Sequence, residues 1–304
     1  CQSRWNMEIN KVFLFKYLRY LISFIRHKRY RIRLNKYKLK KTILFEYLDG
    51  WLLLDKDTNS SKYIVENKLN YENAIQRIMR SVVRENDCIL DLGASVGVHT
   101  VLLSKLAPKG KVYAFEADKI TAERLRTNLL LSRCGNVDIL TDAVSECKGE
   151  VEFFSSKIKK FSSNNSLIKE SLIELGISEE DITSEKVNTI SIDEFVNEQK
   201  ITPDFIKIDI EGGEMNVFRG MKKTLRNFSP IIIFEANRFY LDQDSLKELE
   251  EIFDANYNIH IIDELEEYEY PHSHFFKKPK YPSLDMIELK DLDDDVYLLC
   301  LPKT

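Results

Sequence analysis

Residues 88–100 read Cys88-Ile89-Leu90-Asp91-Leu92-Gly93-Ala94-Ser95-Val96-Gly97-Val98-His99-Thr100. A short apolar run ends in an acid, turns on two glycines and enters a helical pattern. Two glycines let the turn tighten and let a ligand approach the backbone, while the first N–H groups of the new helix point at it. The spacing is G-x-x-x-G rather than G-x-G-x-x-G, which counts against a dinucleotide. No Lys-Ser or Lys-Thr follows the second glycine, which counts against a P-loop. Asp91 sets a carboxylate beside the loop, where it would repel a pyrophosphate and suit a cationic ligand.

Outward from this unit, strands and helices alternate. Tyr71, Ile75, Ile78, Met79, Val82 and Val83 recur at helical spacing before it. After it, strands are predicted over 112–115, 137–140, 205–209, 231–235, 259–262 and 296–301, and helices over 96–106, 120–132, 214–225 and 245–253. The pattern predicts an α/β fold, a mostly parallel Rossmann-like sheet with helices on both faces. Upstream, 42–48 and 51–54 read as strands flanking the hairpin turn Asp49-Gly50. The chain therefore divides into a basic arm (1–41), a hairpin and linker (42–70) and one α/β domain (71–304).

Ligands in such sheets sit at the carboxyl ends of the strands. The second strand ends at Glu116, 23 residues past Gly93, where an acid can accept both hydroxyls of a ribose. The third runs into Asp142, placed to meet the exocyclic amine of an adenine. Three such signals in order point to an adenosine ligand without phosphates, and S-adenosylmethionine fits. The fourth strand, Phe205-Ile206-Lys207-Ile208-Asp209-Ile210-Glu211-Gly212-Gly213-Glu214, gathers one lysine and three acids at one terminus. Alternation puts Lys207 and Asp209 on one face, with Glu211 and Glu214 at the mouth. Crowded like charges should raise a carboxyl pKa and make a general base near neutrality. The plainer alternative makes Glu214 a first-turn helix acid stabilised by the dipole. The fifth strand ends similarly, at Glu235.

These residues resemble the FkbM-type S-adenosylmethionine-dependent methyltransferases. The likeness runs from about Tyr71-Glu72 to Leu301 and includes Asp91–Thr100, Phe115-Glu116, Asp142–Ser145, Asp193, the stretch from Lys207 to Glu214, and Pro230 through Glu235. Ser95 stands where the family usually has Asn, and Ala117 where it usually has Pro. The resemblance implies a class I methyltransferase fold, with a seven-stranded sheet whose last strand, 296–301, is antiparallel. It also implies methyl transfer, commonly to a hydroxyl of a sugar or natural product. On this chain it places Asp91, Gly93, Ser95, Gly97, Glu116, Asp142 and Ala143 around the cofactor. Asp209, Glu211 and Glu235 would line the methyl-transfer site, with Glu211 the first choice of base, Asp209 the second and His99 a distant third. N-methylation of a peptide or amino-sugar and a catalytically silent interaction module are the alternatives.

Two stretches are candidates for contacting the acceptor: 155–186, a long polar segment of the kind that forms a lid, a binding loop or a disordered stretch, and 268–282, rich in aromatics. The His272-x-His274 pair in the latter is weak ground for a metal site, and none is expected. The charge is split: residues 1–41 hold thirteen Lys or Arg against Glu8, a net of +12, whereas the rest holds 32 basic and 48 acidic side chains, a net of −16. In the arm, Val12 to Ile25 forms an amphipathic pattern followed by a polybasic run. An anionic membrane surface and packing or dimerisation through 12–41 are the readings of that arm; the acidic body argues against a nucleic-acid substrate. Five scattered cysteines without a CxxC suggest a reducing cytosol, with the membrane's inner face as the alternative address. Met7 is the expected natural start; a processed, lipid-modified Cys1 is the alternative.

Overall fold

The computed structural model describes residues 42–67, 71–158, 165–236, 243–253, 256–262 and 296–303. The basic arm, with its expected membrane or dimer contacts, and the aromatic stretch 268–282 lie outside the described residues. Among the described residues no helix is long and apolar enough to cross a membrane. Strands and helices are numbered below in chain order.

Seven strands build the main sheet: β3 (Cys88–Leu92), β4 (Lys111–Phe115), β5 (Val137–Leu140), β9 (Phe205–Ile208), β10 (Ile231–Ala236), β11 (Tyr257–Ile262) and β12 (Val296–Pro302). Their order is β11-β12-β10-β9-β3-β4-β5, and β12 alone runs opposite to the other six. This is the architecture that the resemblance implies. The central strands are apolar because both faces are covered. Leu90, Leu92, Ile206 and Ile208 enter one core cluster, and Ile89 and Phe205 enter another on the opposite face. The second cluster is closed by α2 (Asn73–Val82) and α3 (Val98–Leu106). The first is closed by α6 (Ile192–Gln199), α7 (Glu214–Arg219), α8 (Lys222–Phe228) and α9 (Gln243–Phe253).

Several local expectations change. The hairpin of β1 (Thr42–Tyr47) and β2 (Gly50–Asp55) pairs Tyr47 with Gly50, so the turn is Leu48-Asp49 and not Asp49-Gly50. Gly50 belongs to the strand because a Cβ there would stand 2.5 Å from the Cα of Ser132, just past α4 (Lys119–Leu131). Leu48 takes the left-handed backbone instead, with φ 53. Asn128 of α4 accepts from Leu53 N at 2.6 Å and donates to Val96 O at 2.7 Å, tying the hairpin to the glycine turn. The linker after the hairpin contains α1 (Asn59–Asn67).

The helix expected over 214–225 breaks into α7 and α8 at Gly220, where a Cβ would lie 2.4 Å from Ser145 O. Asp193 sits across that break, accepting from Lys223 N and from the Thr224 N–H and hydroxyl at 2.7–3.0 Å. α6 itself opens on a Ser191/Glu194 capping box. Finally, the ends of the polar stretch 155–186 belong to strands. β6 (Ala143–Val144), β7 (Gly149–Ser156) and β8 (Ile182–Ile190) form a separate sheet in the order β6-β8-β7. Between β7 and β8 lies α5 (Lys169–Glu174).

Gly50→Ala tests the close approach of hairpin and α4. The added methyl has backbone on one side and cannot be relieved by a rotamer change, so unfolding in urea should show a loss of about 2 kcal/mol. A change under about 0.5 kcal/mol would place Gly50 in open space.

Candidate active site

A cleft opens over the carboxyl ends of β3, β4, β9 and β10. Its walls include Ser60, Tyr71 and Glu72 from the segments before β3, and Gly93, Ser95, Glu116 and Ala117 from the strand ends. Asp142, Ala143, Phe153, Asn165 and Leu167 contribute from the smaller sheet and its connection, and Asp209, Glu211, Glu235 and Tyr297 from the other side. Eight of the ten residues expected at the site therefore share one cleft. Asp91 and Gly97 do not line it.

Asp91 lies beneath the floor with no exposed surface, accepting from the Thr100 hydroxyl at 2.6 Å. Burial raises its pKa, opposed by the nearby Lys207 ammonium. Gly97 is the N-cap of α3 at φ 93, and a Cβ there would press on Leu125 at 2.5 Å. At that angle any residue with a Cβ would be strained. Gly93 is more constrained still: φ is 78, and a Cβ would fall 1.7 Å from Asp209 O. The glycine turn and the end of β9 are thus backbone to backbone.

Glu116 is fixed by two N–H donors. Ser95 N reaches Oε2 at 2.8 Å and Asp118 N reaches Oε1 at 2.9 Å. Each oxygen retains a lone pair, since a carboxylate offers about four acceptor sites. Burial pushes its pKa up to about 7. Ser95 gives its N–H from a left-handed backbone, φ 48.

Lys207 is 2% exposed and reaches Asp209 Oδ2 at 2.9 Å, Gly93 O at 3.3 Å and Asp91 Oδ1 at 3.9 Å. Burial disfavours the ammonium, yet the two carboxylates outweigh it and raise its pKa. Burial likewise opposes ionisation of Asp209, but Lys207 prevails and holds that carboxyl below its ordinary range. Glu235 beside it favours the ionised form of Asp209 further. The Glu211 backbone is left-handed at φ 59, and its carbonyl accepts from the Ser166 and Ser171 hydroxyls at 2.6 and 3.4 Å.

Glu214 is not at the mouth. It is 2% exposed in the first turn of α7, accepts from Gly212 N at 3.1 Å and does not line the cleft. The helix-end alternative describes it, and burial rather than crowding by like charges is the main cause of its rise to about 7. His99 is also buried, 6% exposed, and is driven down to about 3 by burial and the Lys207 charge. A neutral imidazole this weakly basic makes no general base near neutrality. Among the described residues no group of three or more His, Cys, Asp or Glu could hold a metal ion.

Tyr71, Glu72, Asn165 and Tyr297 were not singled out as site residues by sequence reasoning. Tyr71-Glu72 stood next to a helix start, and Tyr297 lies beside Glu235 only through the β10–β12 register. Of these, only the Tyr71-Glu72 pair carried a signal, as part of the family likeness.

The family model described as the methyltransferase FkbM domain matches residues 91–271. Hexuronic acid methyltransferase AglP of Haloferax volcanii is 28% identical over 166 residues, covering 54% of this chain and 62% of that protein. Among solved structures, the methyltransferase FkbM of Methylobacillus flagellatus is similar with a TM-score of 0.43 and 14% identity, covering 79% of this chain and 53% of the other. M. jannaschii TYW2 in complex with AdoMet is similar with a TM-score of 0.42 and 12% identity, covering 86% of this chain and 85% of the other. This chain thus spans less than two thirds of the length of the AglP and M. flagellatus relatives.

Glu214 gives a pH test of the buried turn. Its folded pKa lies above the unfolded value, so its contribution to stability is complete below about pH 4.5 and is lost as pH rises to about 7. Glu214→Gln removes that loss. The stability of the variant minus that of the wild type should therefore climb by about 3 kcal/mol between pH 4.5 and 7.5 and then level off. A difference that is flat with pH would contradict the assignment.

Proposed function

The chain belongs to the FkbM family of methyltransferases, enzymes dependent on S-adenosylmethionine, and from that premise we propose that it methylates a hydroxyl of a sugar or glycan. The observation that carries this reading is a single cleft lined by Ser95 and Glu116 together with the carboxylates Asp209, Glu211 and Glu235. A relative named for methylating hexuronic acid supports a saccharide acceptor.

The residues present fit the cofactor. Glu116, oriented by two N–H donors, has lone pairs left for two ribose hydroxyls. Asp142 and Ala143 would meet the adenine, and Gly93 and Ser95 the remainder of the molecule. The carboxylate-rich cleft suits a positively charged sulfonium. Asp91 and Gly97 act from below, through Thr100 and α4. When bound, S-adenosylmethionine supplies an electrophilic methyl group.

What remains for the protein is to hold the acceptor hydroxyl in line and to take its proton. Asp209 is a weak base for that step, because Lys207 holds it ionised at low pH. Glu235 is engaged by Asp209. Glu211, whose backbone is pinned by Ser166 and Ser171, is the base in this scheme. Asp209 and Glu235 then position the hydroxyl.

Two measurements test the reading. Labelled cofactor supplied with a panel of saccharides should yield a methyl ether by mass spectrometry, and Glu211→Gln should lower kcat by about 10²–10⁴-fold while leaving S-adenosylhomocysteine affinity within twofold. An N-methylated product, or full turnover by the variant, would contradict it. For Glu116, the carboxylate must be ionised to accept two hydroxyls, so affinity for S-adenosylhomocysteine should rise about tenfold from pH 6 to pH 8. That rise should vanish in Glu116→Gln; persistence would remove Glu116 from the ribose site.

A further inference from the structure

Three neighbouring strands of the main sheet set a row of side chains along the cleft. β10 pairs Ile233 with Lys207 of β9, and two residues further on that register brings Glu235 beside Asp209. β12 in turn pairs Tyr297 with Glu235. Side chains alternate along a strand, so the three share one face with Phe205, Ile233 and Leu299, which belong to the core cluster closed by α2 and α3. The antiparallel direction of β12 is what supplies Tyr297, because the start of that strand lies where its parallel neighbours end. Asp209, Glu235 and Tyr297 all line the cleft, one strand spacing of about 4.8 Å apart in turn.

The row has a direction. The residues that fit the cofactor, Gly93, Ser95, Glu116, Asp142 and Ala143, follow β3, β4 and β5. On the other side of β3 come β9, β10 and β12 in that order. Tyr297 therefore lies two strands beyond Asp209, away from the cofactor half. Its ring packs against the apolar cluster that contains Ile233, Ile262 and Leu299. Burial first, and then the carboxylates Asp209, Glu72 and Glu235, hold its hydroxyl well above the ordinary phenol range. It stays neutral and remains a donor, and among the described residues that hydroxyl has no hydrogen-bond partner. Ionised carboxylates only accept hydrogen bonds, whereas each hydroxyl of a saccharide both donates and accepts. Asp209 and Glu235 can take the protons of such a ligand but cannot answer its oxygens. Tyr297 adds the missing donor at the acceptor end of the row.

We propose that Tyr297 is a specificity residue of the acceptor site, its hydroxyl donating to a second hydroxyl oxygen of the saccharide, apart from the one that is methylated. The inference rests on the saccharide acceptor of the proposed function and not on the choice of base.

Steady-state kinetics on the full chain test it, with the methyl glycosides of glucose, galactose and glucuronic acid and the monodeoxy forms of whichever is turned over. Tyr297→Phe keeps the ring and removes the donor. It should lower kcat/KM on the parent saccharide about tenfold, mostly through KM, and leave S-adenosylhomocysteine affinity within about twofold by calorimetry. On the one deoxy form that lacks the contacted hydroxyl, wild type and variant should agree within about twofold. Unchanged kcat/KM on the parent would overturn the proposal. So would an equal loss on the parent and on every deoxy form, or a matching loss of S-adenosylhomocysteine affinity, either of which would make Tyr297 a structural residue of the cleft. A wild type that binds S-adenosylhomocysteine but methylates none of the saccharides would remove the acceptor reading, and this one with it.

Discussion

The ammonium of Lys207 is 2% exposed and has to be neutralised where it stands. Burying such an ion costs several kcal/mol, and the loss is offset only by close, well-placed partners. The sheet provides them through register. β3 and β9 run parallel with Asp91 beside Lys207, and Asp209 follows two residues later on the same face. The third partner, Gly93 O, belongs to the turn after β3. One side chain therefore ties the glycine turn to the end of β9. The two backbones lie so close there that only glycine fits at position 93.

The acids of the site separate into two layers around this link. Asp91 and Glu214 are buried supports, one hydrogen-bonded to Thr100 and the other to the turn at Gly212. Glu72, Glu116, Asp142, Asp209, Glu211 and Glu235 face the cleft. The buried pair needs only to be satisfied locally. The cleft carboxylates have a surplus of negative charge over the one buried lysine, which is the electrostatic reason that a cationic cofactor suits this site. The acidic balance of the body, apparent from composition, thus has a partial local explanation in the site itself.

Much of the fold was legible because it depends on short-range pattern. Apolar runs of four to six residues between helical periodicities gave all seven strands of the main sheet, and alternation along 205–209 placed Lys207 and Asp209 together. What escaped depends on contacts distant in sequence. Gly50 looked like a turn residue, and its real constraint is Ser132; the helix break at Gly220 is set by Ser145. A glycine required for close approach cannot be told from one required for a turn without knowing what lies opposite. The small β6-β8-β7 sheet escaped for another reason: β8 carries polar residues over Thr183–Lys186, so its strand pattern is weak. Glu72 carried a signal only through the family likeness, since its left-handed backbone and its contact with His99 of another helix are not local features of the sequence.

The central claim is that Lys207 and Asp209 form a mutually dependent buried pair on which the cleft is built. A double-mutant cycle on unfolding free energy, with Lys207→Met, Asp209→Asn and the two together, tests it most directly. The account predicts that the double variant is more stable than the sum of the single losses implies, by about 2 kcal/mol or more, because each single change strands a buried charge. Losses that add to within about 0.5 kcal/mol would mean the two groups are independent, and would contradict the account.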